Sequence, residues 1–162
     1  MLSADVKKFY DENKIDELYK YAKKYFDKID EWAIKFLEGD LLSEYDLKYA
    51  QQQLNSCQTL LNVIAGTFEA LVVEYENNHI LKEEEKFPSM RVQDYNHCKA
   101  YARSQVSDLR RYATDFSRYV NSAQNSVVTV QSLLKRQTIE KANKNLDTTG
   151  DTSNVGSKKW DE

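Results

Sequence analysis

Apolar residues recur along this chain at alternating intervals of three and four. Ile15, Leu18, Ala22, Tyr25, Ile29, Trp32 and Phe36 keep that rhythm. Leu47, Ala50, Leu54, Cys57, Leu61, Ile64, Phe68, Leu71 and Tyr75 keep it again, with Leu60, Val63 and Val72 widening the stripe. A third series runs through Val106, Leu109, Ala113, Phe116, Val120, Ala123, Val127, Val130 and Leu134. Such alternation is the heptad pattern of helices packed along a shared seam. The spacing predicts three long helices over about 14–38, 43–81 and 89–143, and a short helix over 3–12 capped by Ser3.

The punctuation agrees with the seams. Gly39 comes just after the first, where a left-handed cap is expected. Ser43 and Asp46 form a capping box ahead of the second. KEEEK at 82–86 reads as a solvated loop, Pro88 disfavours helix at Phe87, and Ser89 caps the third helix. That helix opens with Tyr95, Cys98 and Ala102 and stutters before Val106. At 1.5 Å per residue the second helix spans ~57 Å and the third ~80 Å. With only 4 Gly and 1 Pro in 162 residues, the turns of a sheet protein have no supply. The expected fold is all-α: an elongated coiled-coil-like bundle of three long helices over residues 1–144. The second and third form an antiparallel hairpin, and 145–162 is a polar, disordered tail. Helices of unequal length leave apolar stripe uncovered, so a homo-oligomer is expected.

Charge changes the picture. The net charge is −3. Residues 1–86 hold 11 Lys/Arg against 18 Asp/Glu, whereas residues 87–141 hold 9 against 4. In the basic segment Arg103 and Arg110 occupy equivalent heptad positions, one position ahead of those of Arg111 and Arg118. Tyr112 and Tyr119 flank the seam, and Lys135, Arg136 and Lys141 extend the charge. Guanidinium groups pair with phosphate and tyrosine rings stack on bases, which makes single-stranded DNA one candidate partner. The plainer reading is that acidic and basic helices pair with each other inside the bundle.

Other chemistry is thin. Glu76 with His79, and Asp94 with His97, have metal-ligand spacing on two helices that an antiparallel hairpin brings together. Both pairs flank the seam rather than occupy it, so neither metal nor cofactor is expected. Cys57 and Cys98 fall on seams, where thiols are buried and inert. No phosphate-binding Gly loop or nucleophile elbow is present, and an enzyme is not expected. Trp160 in KKWDE is a small candidate for a docking peptide. Met1–Tyr10 lacks the apolar core of a secretory signal. No uninterrupted apolar run approaches the roughly 20 residues that cross a bilayer. The expectation is a cytoplasmic protein, in the host cytoplasm if viral, with no membrane partner.

The stretch from Ala102 to Ala142, ARSQVSDLRRYATDFSRYVNSAQNSVVTVQSLLKRQTIEKA, resembles the C-terminal helix of phage recombination mediators, the UvsY-like family. The shared features are the polar–apolar spacing and a basic end, here Lys135, Arg136 and Lys141. The resemblance covers about a quarter of the chain. It implies a ring-like oligomer that binds single-stranded DNA and helps load a recombinase. Arg103, Arg110, Arg111, Arg118, Lys135 and Arg136 would contact phosphate, and Tyr112 and Tyr119 would stack on bases. The alternative class is a helical protein acting through protein contacts. One form is an anti-CRISPR-like inhibitor whose acidic half, with Asp11, Glu12, Asp16, Glu17, Asp27, Asp30 and Glu31, mimics nucleic acid. Another is a virion or scaffold component.

Overall fold

The computed structural model describes residues 2–38, 42–86 and 92–150. Among them every regular element is a helix: α1 (Ser3–Asp11), α2 (Ile15–Glu38), α3 (Glu44–Lys86), α4 (Val92–Gln105) and α5 (Ser107–Gly150). The all-α expectation holds. Gly39, Pro88, Ser89 and Trp160 lie outside the described residues, as does 151–162.

Local chemistry explains the helix ends. Asp5 accepts a hydrogen bond from the backbone N–H of Leu2 at 2.8 Å and closes the start of α1. Asn13 adopts φ 54°. Asparagine tolerates this left-handed conformation better than most residues. The turn there sends Lys14 N–H back to the carbonyl of Phe9 at 2.8 Å, so α1 folds against α2 through a tight corner. At α3 the expected capping box is present. The Ser43 hydroxyl accepts from Asp46 N–H, and the Asp46 carboxylate accepts from Ser43 N–H, both at 3.1 Å.

Three helix bounds differ from expectation. α3 continues through the acidic run to Lys86, past the loop expected at 82–86. The helix expected over 89–143 is two helices broken at Val106, where the heptad stutters. α5 then runs to Gly150, into the stretch expected to be disordered tail.

Contacts define the packing. Lys141 meets Glu44 and Arg110 meets Glu76, so α5 runs antiparallel to α3. Trp32 donates to Gln53 at 3.2 Å, while Tyr19 lies against Tyr112 and Phe116. α2 is therefore antiparallel to α3 and parallel to α5. α1 straps the α2–α3 side, with Lys7 on Glu74 and Tyr10 edge-on to Tyr75 at 5.8 Å. The core is one continuous line of seam residues from all three long helices. On α2, Phe26 takes the buried position expected of Tyr25, which is half-buried. Phe26 reaches the aromatic cluster of α5, whereas the Tyr25 hydroxyl stays near the surface beside that of Tyr21. Ala65 and Val72 widen the buried stripe of α3.

Phe116 is the centre of that cluster. It is fully buried and lies 5.0 Å from the Tyr19 ring, 5.6 Å from Phe26 and 5.8 Å from Phe68. α3 is also long and apolar enough, by length and composition, to cross a membrane, and 44% of its most apolar window is buried inside the protein. A search for uninterrupted apolar runs misses this, because uncharged polar residues interleave the apolar ones.

Truncating Phe116 to Ala removes the shared contact of three helices. The expected loss is about 3–5 kcal/mol of folding stability, read by chemical denaturation monitored by circular dichroism.

Candidate nucleic-acid interface

The basic residues of α4 and α5 were the strongest polar signal in the sequence. Their placement depends on one carboxylate. Glu76, on α3, keeps 17% of its side-chain surface exposed. It accepts from Arg103 Nε at 3.4 Å and forms a close ion pair with Arg110 Nη2. Arg103 belongs to α4 and Arg110 to α5, so Glu76 ties both sides of the Val106 break to α3. Both guanidiniums thus pair with an acidic helix while their side chains stay 65% and 47% exposed.

The remaining cations divide. Arg111 lies 3.5 Å from Asp108 and 5.2 Å from the centroid of the Tyr112 ring. Arg136 pairs with Glu140 one turn on, at 3.0 Å. Lys141 crosses to Glu44 at 2.6 Å, and Lys48 meets the same carboxylate at 2.7 Å. The Lys141 and Lys48 ammoniums hold the Glu44 carboxyl down at about 2. Arg118 and Lys135 are exposed and make no ion pair among the described residues.

The two candidate stacking residues are engaged as well. Tyr112 packs between Tyr19, at 6.1 Å, and Phe68, at 5.5 Å. Tyr119 stacks on Phe26 at 3.8 Å with the ring planes 18° apart. Both are half-buried. The face of Tyr119 stacked on Phe26 is closed to a base.

An open cleft of about 550 Å³ lies between α2 and α5, lined by Tyr19, Phe26, Asp30, Asp115, Arg118 and Tyr119 among others. Tyr19 donates to Asp115 at 3.0 Å. Burial, and then that bond, push the Tyr19 hydroxyl well above its ordinary range. Sequence reasoning missed this pair. Tyr19 comes directly after a seam residue and Asp115 directly before one, but the two stand 96 positions apart and no local pattern joins them.

The metal-ligand spacing leads to a different geometry. Glu76 is held by the two arginines, His79 is half-buried and His97 is exposed; the Asp94 side chain lies outside the described residues. Among the described residues no three His, Cys, Asp or Glu side chains converge as a metal site would need. Cys57 is buried, which pushes its thiol up, whereas Cys98 is only half-buried. The acidic residues of the N-terminal half are interleaved with lysines. Lys23 pairs with Asp27, Lys35 with Glu31, and Lys8 and Lys14 with Glu12. Asp11 accepts from the Tyr75 hydroxyl at 3.3 Å. Asp16, Glu17 and Asp30 are exposed. No family model, curated protein or solved structure matches the chain.

These contacts predict two outcomes. Replacing Glu76 with Gln uncouples Arg103 and Arg110, costs about 1–2 kcal/mol of stability, and speeds amide exchange at residues 103–107. The Glu44 carboxyl is lower in the folded chain than in the unfolded one. Its contribution is therefore complete above the ordinary carboxylate range and is lost as the pH falls to about 2. Carboxyl NMR titration should find the native Glu44 midpoint near that value, and Lys141→Met should raise it.

Proposed function

We propose that this chain is a non-enzymatic helical interaction protein. It acts through protein contacts along the outside of an elongated, coiled-coil-like bundle of its three long helices, α2, α3 and α5. The observation that carries the reading is that part of its most suggestive chemistry already has partners within the chain. Glu76 holds Arg103 and Arg110, and Phe26 and Phe68 occupy faces of Tyr119 and Tyr112. What the bundle leaves outward is long helical surface. Exposed apolar residues on it include Ile34, Leu37, Tyr45, Tyr49 and Val128. Such surface suits a scaffold or assembly component, or an inhibitor that docks on another protein, better than it suits chemistry in a pocket.

A second reading keeps single-stranded DNA as the partner. It rests on Arg111, Arg118 and Lys135, which are exposed on α5 without a carboxylate from another helix. In that reading the chain is an oligomeric recombination accessory, as the resemblance of 102–142 implies, and a recombinase is its protein partner.

Size-exclusion chromatography with light scattering, run with and without a labelled single-stranded oligonucleotide at low and moderate salt, separates the two. The protein-contact reading expects no co-elution of oligonucleotide at moderate salt. Co-elution that falls steeply with salt and disappears in Arg111→Glu/Arg118→Glu would replace it with the DNA reading.

A further inference from the structure

The twenty residues from Tyr49 to Phe68 contain no Asp, Glu, Lys or Arg, in a chain where 30% of residues are charged. A helix in a soluble bundle ordinarily carries its charges on the face opposite the core. On α3 that face runs through Tyr45, Tyr49, Gln52, Ser56, Thr59, Val63, then Gly66, Ala70, Val73 and Asn77, again alternating by threes and fours. It is a second heptad seam, turned away from the first. α1, α2, α4 and α5 cover the flanks of α3; Tyr49 meets Trp32 of α2 edge-on at 6.5 Å and Val63 is half-buried, and the rest of this seam is exposed. Tyr45 is 77% exposed, Tyr49 48% and Val73 59%. A methyl group placed on Gly66 would meet nothing within 4 Å. The isolated bundle thus gives no steric reason for a mid-helix glycine, which costs roughly 1 kcal/mol relative to alanine. Three hydroxyls on or beside the face already donate within α3. Ser56 donates to the carbonyl of Gln52, Thr59 to that of Asn55, and Thr67 to that of Val63. Covering the face would strand none of these donors.

We propose that this face of α3 binds a second copy of the chain, α3 against α3 and antiparallel. The proposal rests on the protein-contact reading above and names one partner for it. Side-chain size favours the antiparallel register. Helices that cross approach most closely at the middle, where Ser56 faces Gly66 of the second copy and Thr59 faces Val63. They diverge toward the ends, where Tyr49 faces Val73 and Tyr45 faces Asn77. A parallel pair would set tyrosine on tyrosine at one end and glycine on glycine farther along, holding the helices apart where the small residues need contact. Charge does not oppose it. Lys48, the single Lys or Arg on α3 between Glu44 and Lys82, pairs with Glu44 of its own helix at 2.7 Å. The antiparallel register brings it to the flank that carries Glu69 of the second copy. Asp46 comes within a turn of Glu74 of the second copy, whose charge Lys7 already balances. Antiparallel macrodipoles also attract. A contact of ~48 Å along the helices buries on the order of 1,000 Å² in total, the lower range for a specific interface.

Sedimentation equilibrium of the full chain, with no partner added, tests this directly. The expected species is a dimer. Val63→Glu should weaken it by roughly a hundredfold, because each dimer would then bury two unpaired carboxylates. Val128→Glu on the outside of α5 should leave it unchanged, and both variants should keep the helical circular dichroism of the parent. Mixing Ser56→Cys with Gly66→Cys chains should yield a crosslinked pair that neither variant forms alone. A monomer, a dimer indifferent to Val63→Glu, or self-crosslinking of Ser56→Cys would overturn the proposal. A monomer that floats with phosphatidylcholine vesicles would give the face to a bilayer instead. None of these measurements uses nucleic acid, so a chain that retains DNA and still dimerises through α3 overturns only the functional reading.

Discussion

Everything in this molecule is registered by one aromatic contact. Phe116 touches Tyr19 and Phe26 of α2 and Phe68 of α3. A heptad seam can slide by seven residues with little change in its apolar pattern. Large rings that interlock cannot, because each fills a volume that its seam neighbours, such as Ala22, Ala113 and Ala123, would leave empty. Once Phe116 sits among the three rings, the rest of the alignment is set. Glu76 falls beside Arg103 and Arg110, Gln53 beside Trp32, and Glu44 beside Lys141.

The polar contacts then decorate a register they did not create. Most are exposed ion pairs between neighbouring turns, each worth little by itself. Glu76 is different in kind, since its side chain is largely covered and it spans the one break in the long third segment. Val106 interrupts the helix while remaining fully inside the core. The helix is thus interrupted with Val106 still buried, and the carboxylate from α3 clasps the two sides of the break.

The helices were legible in the sequence because each seam is long and nearly free of polar residues. The capping box of Ser43 and Asp46 was legible for a related reason, being a local rule with a local outcome. The exchange of Tyr25 for Phe26 was not, since both lie at helical spacing and only the partner cluster on α5 distinguishes them. The acidic extension of α3 to Lys86 was hidden as well, because glutamate and lysine suit a solvated helix as well as a loop. For the candidate site, the residue types were visible and their partners were not. Arginines at heptad spacing can face phosphate or a neighbouring carboxylate, and the carboxylate that two of them meet, Glu76, lies 27 and 34 positions away. The open face of α3 was readable throughout as a run without charge. It stayed inconspicuous because its polar residues broke every apolar stretch.

The separation in sequence between partners across α3 and the α4–α5 segment changes steadily along the bundle. It is 27 residues at Glu76 with Arg103, 48 at Glu69 with Ser117, and 97 at Glu44 with Lys141. Closing a longer loop costs more chain entropy, and each contact made shortens the loop that the next must close. On chain entropy alone the end at Glu76 is the cheapest of these three contacts to close and the end at Glu44 the most costly. Chain order, as well as side-chain chemistry, thus grades the entropic cost of the contacts along the antiparallel pair.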